Sequence, residues 1–165
     1  MAFPRTIRNY NAFIDGIGYF GKSTEANLPK LQLQTEDHRG AGMDAPIAID
    51  MGMQAMTADV SFAEWSPELF HHFGTRKRLI LRPAALGEDD FAADAWIATI
   101  GGRFSAVEPS TLKAAGSVPL KLTASVDYYR LEKDGEELFE IDIENGKRII
   151  GGTDQLAGLR RAMGL

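Results

Sequence analysis

A segment of alternating apolar and polar residues, Leu120–Ile143, constrains the fold more than any other part of the chain. It predicts two long antiparallel strands joined at Asp134-Gly135, because Asp-Gly supplies the positive φ angles that a type I′ turn requires. With that two-residue turn, Tyr128 would face Ile141 across the strands. Two strands alone are not stable in water, so the hairpin predicts a larger sheet.

Alternation along the two strands predicts that the hairpin buries one face and exposes the other, because successive side chains point to opposite sides of a strand. The face expected in the core carries Leu120, Leu122, Ala124, Val126, Tyr128, Phe139, Ile141 and Ile143. The opposite, acidic face carries Asp127, Tyr129, Glu140, Asp142 and Glu144, with Leu131 and Leu138 near the turn. One face is therefore expected to meet the core and the other to meet water.

The rest of the chain predicts further strands and two helices. A tight turn at Asp15-Gly16 predicts a hairpin over Ile7–Gly21, and Gly101-Gly102 predicts a β-bulge. Strands are expected over 28–35, 54–64, 76–86, 94–107 and 147–150, and helices over 67–73 and 154–163, the second capped by Thr153. The prediction is one mainly β domain over 1–165, an antiparallel β-sandwich or barrel with one short internal helix and a C-terminal helix.

A long segment with little periodicity, Glu36–Met53, interrupts the strand pattern and is expected to be a loop. It contains Gly40, Gly42, Pro46 and Gly52, and loops of this length are usually functional or disordered. Its apolar side chains argue against disorder and favour a contact surface for a partner. These side chains are Met43, Ile47, Ile49, Met51 and Met53. The alternative is a loop that folds back onto its own domain.

Composition disfavours several classes of protein. The net charge of −5 argues against tight binding of nucleic acid, because phosphate contacts need Lys and Arg. The chain has no cysteine, so it forms neither a disulfide framework nor a thiolate metal site. Its first residues, MAFPR, do not begin a signal-peptide pattern. No run approaches about 18 apolar residues, so we expect no membrane anchor.

The sequence predicts no catalytic, cofactor-binding or metal-binding residues. The GIGYFG match at Gly16–Gly21 lacks the helix that a nucleotide site needs after it, so a turn is the simpler interpretation. His71 and His72 are adjacent on a predicted helix and point in different directions, which favours solvated or interface histidines over a metal site. We therefore expect a protein that is not an enzyme. Catalysis by paired carboxylates on the acidic face stays an open alternative.

Three stretches together resemble one protein family, the major tail tube proteins of contractile-tailed bacteriophages, which R-type bacteriocins (tailocins) share. LPKL at Leu28–Leu31 is followed by RGAGM at Arg39–Met43 and by IDMG at Ile49–Gly52. YRLEKDGEELFEID at Tyr129–Asp142 is similar to the penultimate hairpin of the family, and GGTDQLAGLRRAMGL at Gly151–Leu165 is similar to its terminal helix. The start MAFPR and the pair Gly102-Arg103 also fit, so the resemblance spans nearly the whole chain.

The resemblance implies the tail-tube fold and a structural role in a virion tail, assembled in the host bacterial cytoplasm. Hexameric rings of the chain would stack into a tube inside a contractile sheath, and strands of six subunits would line one inner barrel. DNA would be a non-specific passing cargo, or the tube would puncture an envelope without DNA. The implied partners are further copies of the chain, the tail sheath protein, and the baseplate and tail terminator proteins.

The resemblance turns two features of the sequence into candidate contact surfaces. The segment 36–53 is expected to contact the next ring through Arg39, Gly40, Gly42, Met43, Asp44, Ile47 and Met51. The acidic face of the hairpin is a candidate for the wall of the bore, where like charge would keep DNA from adhering. That face offers Asp127, Glu140, Asp142 and Glu144. The alternative functions are a secreted ring protein of a type VI-like system and a small-molecule-binding β-barrel.

Overall fold

The computed structural model describes residues 3–165, so the first two residues of the MAFPR start lie outside it. Antiparallel strands dominate the chain, which confirms the predicted mainly β class and the two helices. The strands are β1 Thr6–Ile14, β2 Ile17–Gly18, β3 Ser23–Asn27, β4 Leu33–His38, β5 Ile47–Met53, β6 Met56–Phe62, β7 Arg76–Leu86, β8 Asp94–Pro109, β9 Leu120–Lys133, β10 Glu136–Asp142, β11 Lys147–Ile150 and β12 Thr153–Asp154. The helices are α1 Pro67–His71 and α2 Ala157–Met163.

The long strand β9 organises the main sheet. It pairs with β8 along its whole length, with β6 over its first half and with β10 over its second half. The main sheet runs β12-β11-β10-β9-β8-β7-β1-β2, and β3 joins it through β6. The first half of β9 therefore belongs to a curled, barrel-like body with β6 and β3, whereas its second half belongs to the part of the sheet that continues through β10, β11 and β12.

The core fills the curled body with large apolar side chains. β6 supplies alternate residues from Met56 to Phe62, all buried, as its sequence pattern predicts. Facing them are buried side chains of the other strands, among them Ile14, Leu79, Leu81, Ile100, Phe104, Leu120 and Leu122. A hydrogen bond of 2.9 Å between the hydroxyls of Tyr10 on β1 and Ser23 on β3 joins the two sides of the body. Because these side chains fill the interior of the body, surfaces for contact with other molecules lie outside the core.

The central hairpin turns where the sequence predicts, but its register differs beyond the turn. Asp134 and Gly135 both have positive φ, 49° and 84°, as a type I′ turn requires. Leu138 is then an extra residue on β10, so Phe139 pairs with Leu131 and Ile141 pairs with Tyr129 rather than with Tyr128.

A second irregularity changes which side chains of β9 face the core. Gly101 pairs with Tyr128 and Gly102 pairs with Val126, so Asp127 is an extra residue on β9. This is the bulge predicted at Gly101-Gly102. It interrupts the alternation, and Tyr129, expected on the acidic face, is buried. Ile143, expected in the core, is 54% exposed because β10 ends at Asp142.

Both helices form, but they bury less than their patterns predict. α1 begins after Ser66 with Pro67 in its first turn, and it buries Leu69 but leaves Phe70 exposed. It ends at His71 rather than at Phe73, which lies beyond the helix and is exposed. His72, expected in solvent or at an interface, is buried, with its ring centroid 5.7 Å from that of Phe104. Burial lowers the pKa of His72 below its ordinary value, because burial disfavours the charged imidazolium.

The C-terminal helix starts later than its predicted cap. Thr153 pairs with Ile150 as part of β12 and does not cap the helix, which starts at Ala157. Its apolar residues Leu159 and Met163, which a helix packed on the sheet would bury, are 57% and 60% exposed. Gly164 ends α2 in the left-handed conformation, which glycine adopts readily. The exposed apolar side of α2 is a surface that the subunit itself does not cover.

Candidate assembly surfaces

The segment 36–53, expected to be a loop, is largely a β-hairpin. β4 and β5 pair with each other and form a separate two-stranded sheet, which we call the arm (residues 33–53). Every residue of β4 is exposed, as are the first five of β5. The prediction of a loop was wrong, because Gly40, Gly42 and Pro46 lie only in the connection between the two paired strands.

The arm presents apolar side chains to its surroundings. Ile47, Ile49 and Met51 alternate along β5 and are 60%, 46% and 57% exposed. Large exposed apolar groups in a contiguous run mark an interaction surface. The arm therefore exposes an apolar surface that the described residues of the subunit do not cover.

The connection between β4 and β5 carries the other residues predicted to contact a neighbour. The Arg39 side chain donates to the backbone carbonyls of Met43 and Asp44, at 3.4 and 3.3 Å. The Met43 sulfur lies 3.1 Å from the amide nitrogen of Gly40, and Gly42 has a positive φ of 88°. These contacts shape the tip of the arm, and Arg39 and Asp44 form no side-chain ion pair with each other in residues 3–165.

One ion pair fixes the base of the arm to the main sheet. The Arg148 guanidinium on β11 lies 2.6 Å from an Asp50 carboxylate oxygen, and the other Asp50 oxygen accepts a hydrogen bond from the Gly52 amide at 2.8 Å. These donors hold the pKa of Asp50 below its usual range. Sequence analysis missed this contact, because no local pattern connects residues 98 positions apart.

Two shallow apolar grooves lie beside this ion pair, where the arm leaves the body. Met53, Ile141 and Arg148 line both grooves. One groove adds Leu31, Leu33 and Ile150, and the other adds Ile143 and Leu156. The base of the arm is therefore a continuous apolar region that surrounds one buried guanidinium.

The four candidate lumen residues do not form one uniform acidic patch. Glu140 and Asp142 alternate on β10 and share a face, where the Tyr128 hydroxyl donates to Glu140 at 3.3 Å. Asp127 and Glu144 both bind the guanidinium of Arg76, the second at 2.5 Å. Arg76 therefore neutralises part of the charge that the sequence assigns to this surface. Nothing in the sequence indicated Arg76, which is 51 residues from Asp127.

The neighbours of Glu140 increase the density of negative charge on that face. Glu132 on β9 pairs with Glu137 on β10, and Arg130 pairs with Glu140. Burial, followed by the nearby Glu140 carboxylate, raises the pKa of Glu137. This face of β9 and β10 is therefore acidic, with Arg130 as its cation.

Within 3–165, no group of three His, Cys, Asp or Glu residues is placed to hold a metal ion. None of the helices in that range has the length and apolar content needed to cross a membrane.

Comparison of the sequence with known families and proteins gives consistent matches. The family model described as phage tail tube protein FII matches residues 4–164. The chain is 30% identical to the tail tube protein of Escherichia phage P2, over all of both chains. It is 27% identical to the major tail tube protein of Serratia phage KSP20, over 88% of this chain and 86% of the relative.

Two of the solved structures with a similar fold come from contractile injection particles. A chain of the PVC sheath-tube complex, from an extracellular contractile injection system in the extended state, superposes with a TM-score of 0.60 at 8% identity. The match covers 79% of this chain and 92% of that one. A chain of the anti-feeding prophage baseplate superposes with a TM-score of 0.50 at 12% identity, over 80% and 97% of the two chains. At identities of 8% and 12%, these superpositions show a shared fold and nothing more.

Proposed function

The chain belongs to the phage tail tube protein family, and from that premise we propose that it assembles into hexameric rings that stack into the inner tube of a contractile tail. The match covers the domain almost from end to end, and the observation that carries the proposal is the arm. A subunit that exposes Ile47, Ile49 and Met51 on a two-stranded ribbon has an apolar surface that its own body does not cover.

The arm makes the contact between successive rings in this proposal. Contact between two different surfaces of identical subunits does not close on itself when it runs along an axis, so it extends into a filament. The tip residues Arg39–Asp44 and the β5 residues Ile47 and Met51 would lie in the seam. Gly40 and Gly42 permit a close approach of backbone there, and Met43 supplies an adaptable apolar contact.

Met43→Asp tests the arm directly. A carboxylate at that position would be desolvated in an apolar seam, so we expect a folded subunit that forms no tubes. Leu112→Asp is the matched control, because Leu112 is an exposed apolar residue in the connection between β8 and β9, outside the arm. Electron microscopy of the purified proteins measures tube formation. Tubes of normal length from Met43→Asp would refute the role of the arm.

We further propose that the acidic face of the hairpin, with Glu140 and Asp142 at its centre, lines the bore of the tube. Like charge would keep passing DNA from adhering to the wall. Asp127 and Glu144 belong to the same proposed wall, although their bonds to Arg76 reduce their contribution. The bore would then act on its cargo through weak repulsion rather than through a binding site.

The partners in this proposal follow from the tube. Further copies of the chain form the rings, the sheath protein surrounds them, and the baseplate and tail terminator proteins meet the two ends. Solved neighbours of the fold come from a sheath-tube complex and from a baseplate, which supports the sheath protein and the baseplate as partners. The particle would be assembled in the host cytoplasm and the subunit would reside in the virion tail.

A further inference from the structure

The side of the main sheet that points away from the core carries a pair of unneutralised cations on β7. Leu79 and Leu81 of that strand are buried, so Arg78 and Arg82, which alternate with them, point to the opposite side. Both arginines are exposed, and within residues 3–165 neither forms an ion pair or a side-chain hydrogen bond. We call Arg78 and Arg82 the basic row. Its charge is therefore available to a molecule outside the subunit.

The register of the sheet places the basic row on the same side as the acids of β10. Arg78 pairs with Gly101 of β8, and Gly101 pairs with Tyr128 of β9. Tyr128 in turn pairs with Asp142 of β10. Because paired residues of neighbouring strands point to the same side of a sheet, Arg78 and Asp142 share one face. The basic row therefore belongs to the face that we propose for the wall of the bore.

Distance separates the two signs of charge on this face. Three strand spacings lie between β7 and β10, which amounts to about 14 Å, whereas the Debye length at physiological salt is about 8 Å. The β8 residues between them on this side, Ile97, Thr99 and Gly101, carry no charge. On β9, Arg130 lies 3.6 Å from Glu132, so the acidic side has a cation of its own. The acids of β10 therefore leave the basic row largely unneutralised.

An amide donor on β1 extends the basic row. Asn11 pairs with Arg82 across the ladder between β1 and β7, so the two side chains point to the same side. The Oδ1 atom of Asn11 accepts a hydrogen bond from the Ala12 amide at 2.9 Å, which leaves the NH₂ group of Asn11 as a donor. Proteins direct guanidinium and amide donors of this kind at phosphate oxygens. Strands β7 and β1 therefore present the chemistry of a contact to phosphate.

The spacing of the basic row limits the number of phosphates that it can contact. Arg78 and Arg82 are four residues apart on one strand, which amounts to about 13 Å. Along a DNA duplex, that length spans about four phosphates of one strand. Each guanidinium would therefore meet a different phosphate, which gives two contacts in each subunit.

We propose that the basic row, with Asn11 beside it, makes weak and transient contacts to the phosphate backbone of a nucleic acid that passes along this face. This contact deepens the proposed bore and rests on it. The wall would then carry two signs of charge, because β10 repels the backbone while β7 attracts it. Two contacts contribute little affinity at physiological salt, so the nucleic acid would slide past the row. An empty tube offers the row no phosphate, so the row favours passage of nucleic acid over puncture without it.

Neutralising the basic row tests this contact. Fluorescence anisotropy of a short labelled DNA duplex, titrated with the purified protein at several salt concentrations, measures the association constant. Each phosphate contact contributes about −0.9 to the slope of log K against log salt concentration, so we expect a slope of about −1.8. Arg78→Gln with Arg82→Gln should bring the slope towards zero and weaken binding at least about tenfold at about 50 mM salt.

The matched control is Lys113→Gln with Arg161→Gln, which removes the same amount of charge from two other exposed cations. Lys113 lies in the connection between β8 and β9, and Arg161 lies in α2, so neither belongs to the strands that carry the basic row. This control should keep the association constant and the salt slope of the wild type. A basic-row variant that binds the duplex as tightly as the control, with the same slope, would overturn the phosphate contact.

Electron microscopy of the same proteins separates this contact from the proposed function. If the wild type forms no tubes, the proposed function fails, whereas the duplex titration still supports or overturns the phosphate contact. If the wild type forms tubes and the basic-row variant binds the duplex like the control, the contact is wrong while the tube stands. A folded basic-row variant that forms no tubes, when the control does, would assign the arginines to contacts between copies and overturn the contact. Circular dichroism and urea midpoints equal to those of the wild type show that each variant is folded.

Discussion

Replacement of Gly102 by alanine is expected to be among the most damaging single-methyl changes in the chain. A Cβ atom at this position would lie 2.1 Å from the Ser125 carbonyl oxygen and 2.9 Å from the Ser125 carbonyl carbon. Both atoms belong to the backbone of β9, so no side-chain rotation relieves the overlap. Strands β8 and β9 must separate by about 1 Å before the contact reaches 3.0 Å.

The cost follows from the place of this contact in the sheet. Overpacking a well-packed site costs about 1–3 kcal/mol, and weakening one or two ladder hydrogen bonds adds about 1 kcal/mol each. We therefore expect the free energy of unfolding to fall by about 3–4 kcal/mol. At about 2–4 °C per kcal/mol for a chain of this size, the melting temperature should fall by roughly 10 °C.

Two other glycines provide a graded comparison by urea denaturation and calorimetry. A Cβ on Gly101 would lie 3.1 Å from the Tyr128 Cβ, a contact that a small shift relieves, so Gly101→Ala should cost about 1 kcal/mol. A Cβ on Gly158 in α2 would meet nothing within 4 Å, so Gly158→Ala should be neutral or stabilising by up to about 1 kcal/mol. Equal stability of all three variants would refute the close approach at the bulge.

Three further changes test the core, the arm and the acidic face. Burial raises the pKa of Tyr129 to about 12 in the folded protein, whereas the pKa of an unfolded tyrosine is about 10. The free energy of unfolding should therefore decline as the pH rises from about 10 towards 12. Tyr129→Phe should lose that decline, which urea midpoints measured against pH would show. Asp50→Asn removes the anionic partner of Arg148 at the base of the arm, so amide hydrogen exchange should accelerate in 33–53 but not in β7. Exchange in the arm as slow as in the wild type would contradict the role of this ion pair in fixing the arm. Glu140→Lys with Asp142→Lys should leave tubes intact but slow DNA delivery, and unchanged infectivity would remove the repulsive wall.

Local turn chemistry made the hairpins predictable from sequence. Asp134-Gly135 and Asp15-Gly16 both turn as expected, because positive φ angles are readily available to these residue pairs. The register beyond the first turn was not predictable, since Leu138 has no feature that marks an extra residue. The position of the bulge at Gly101-Gly102 was predictable from the two glycines. The burial of Tyr129 was not, because it depends on the extra residue being Asp127 on β9 rather than a residue of β8.

The arm shows where sequence reasoning stops. The glycines and Pro46 in 36–53 favour a loop, and the apolar residues point to a contact surface, yet Gly40, Gly42 and Pro46 lie only in the connection between two paired strands. The residues that fix the arm to the body come from the far end of the chain. Their meeting is a property of the tertiary fold, which no local pattern encodes.

The attachment of the arm has a mechanical consequence. Beyond the apolar contacts at its base, one charged contact, between Asp50 and Arg148, ties the ribbon to β11. In the proposed tube, a load at the tip would enter the body through the backbone at both ends of the ribbon, and the contact between Asp50 and Arg148 would pass part of it into the β10–β11 ladder. That contact would therefore set how far the ribbon tilts against the main sheet under load.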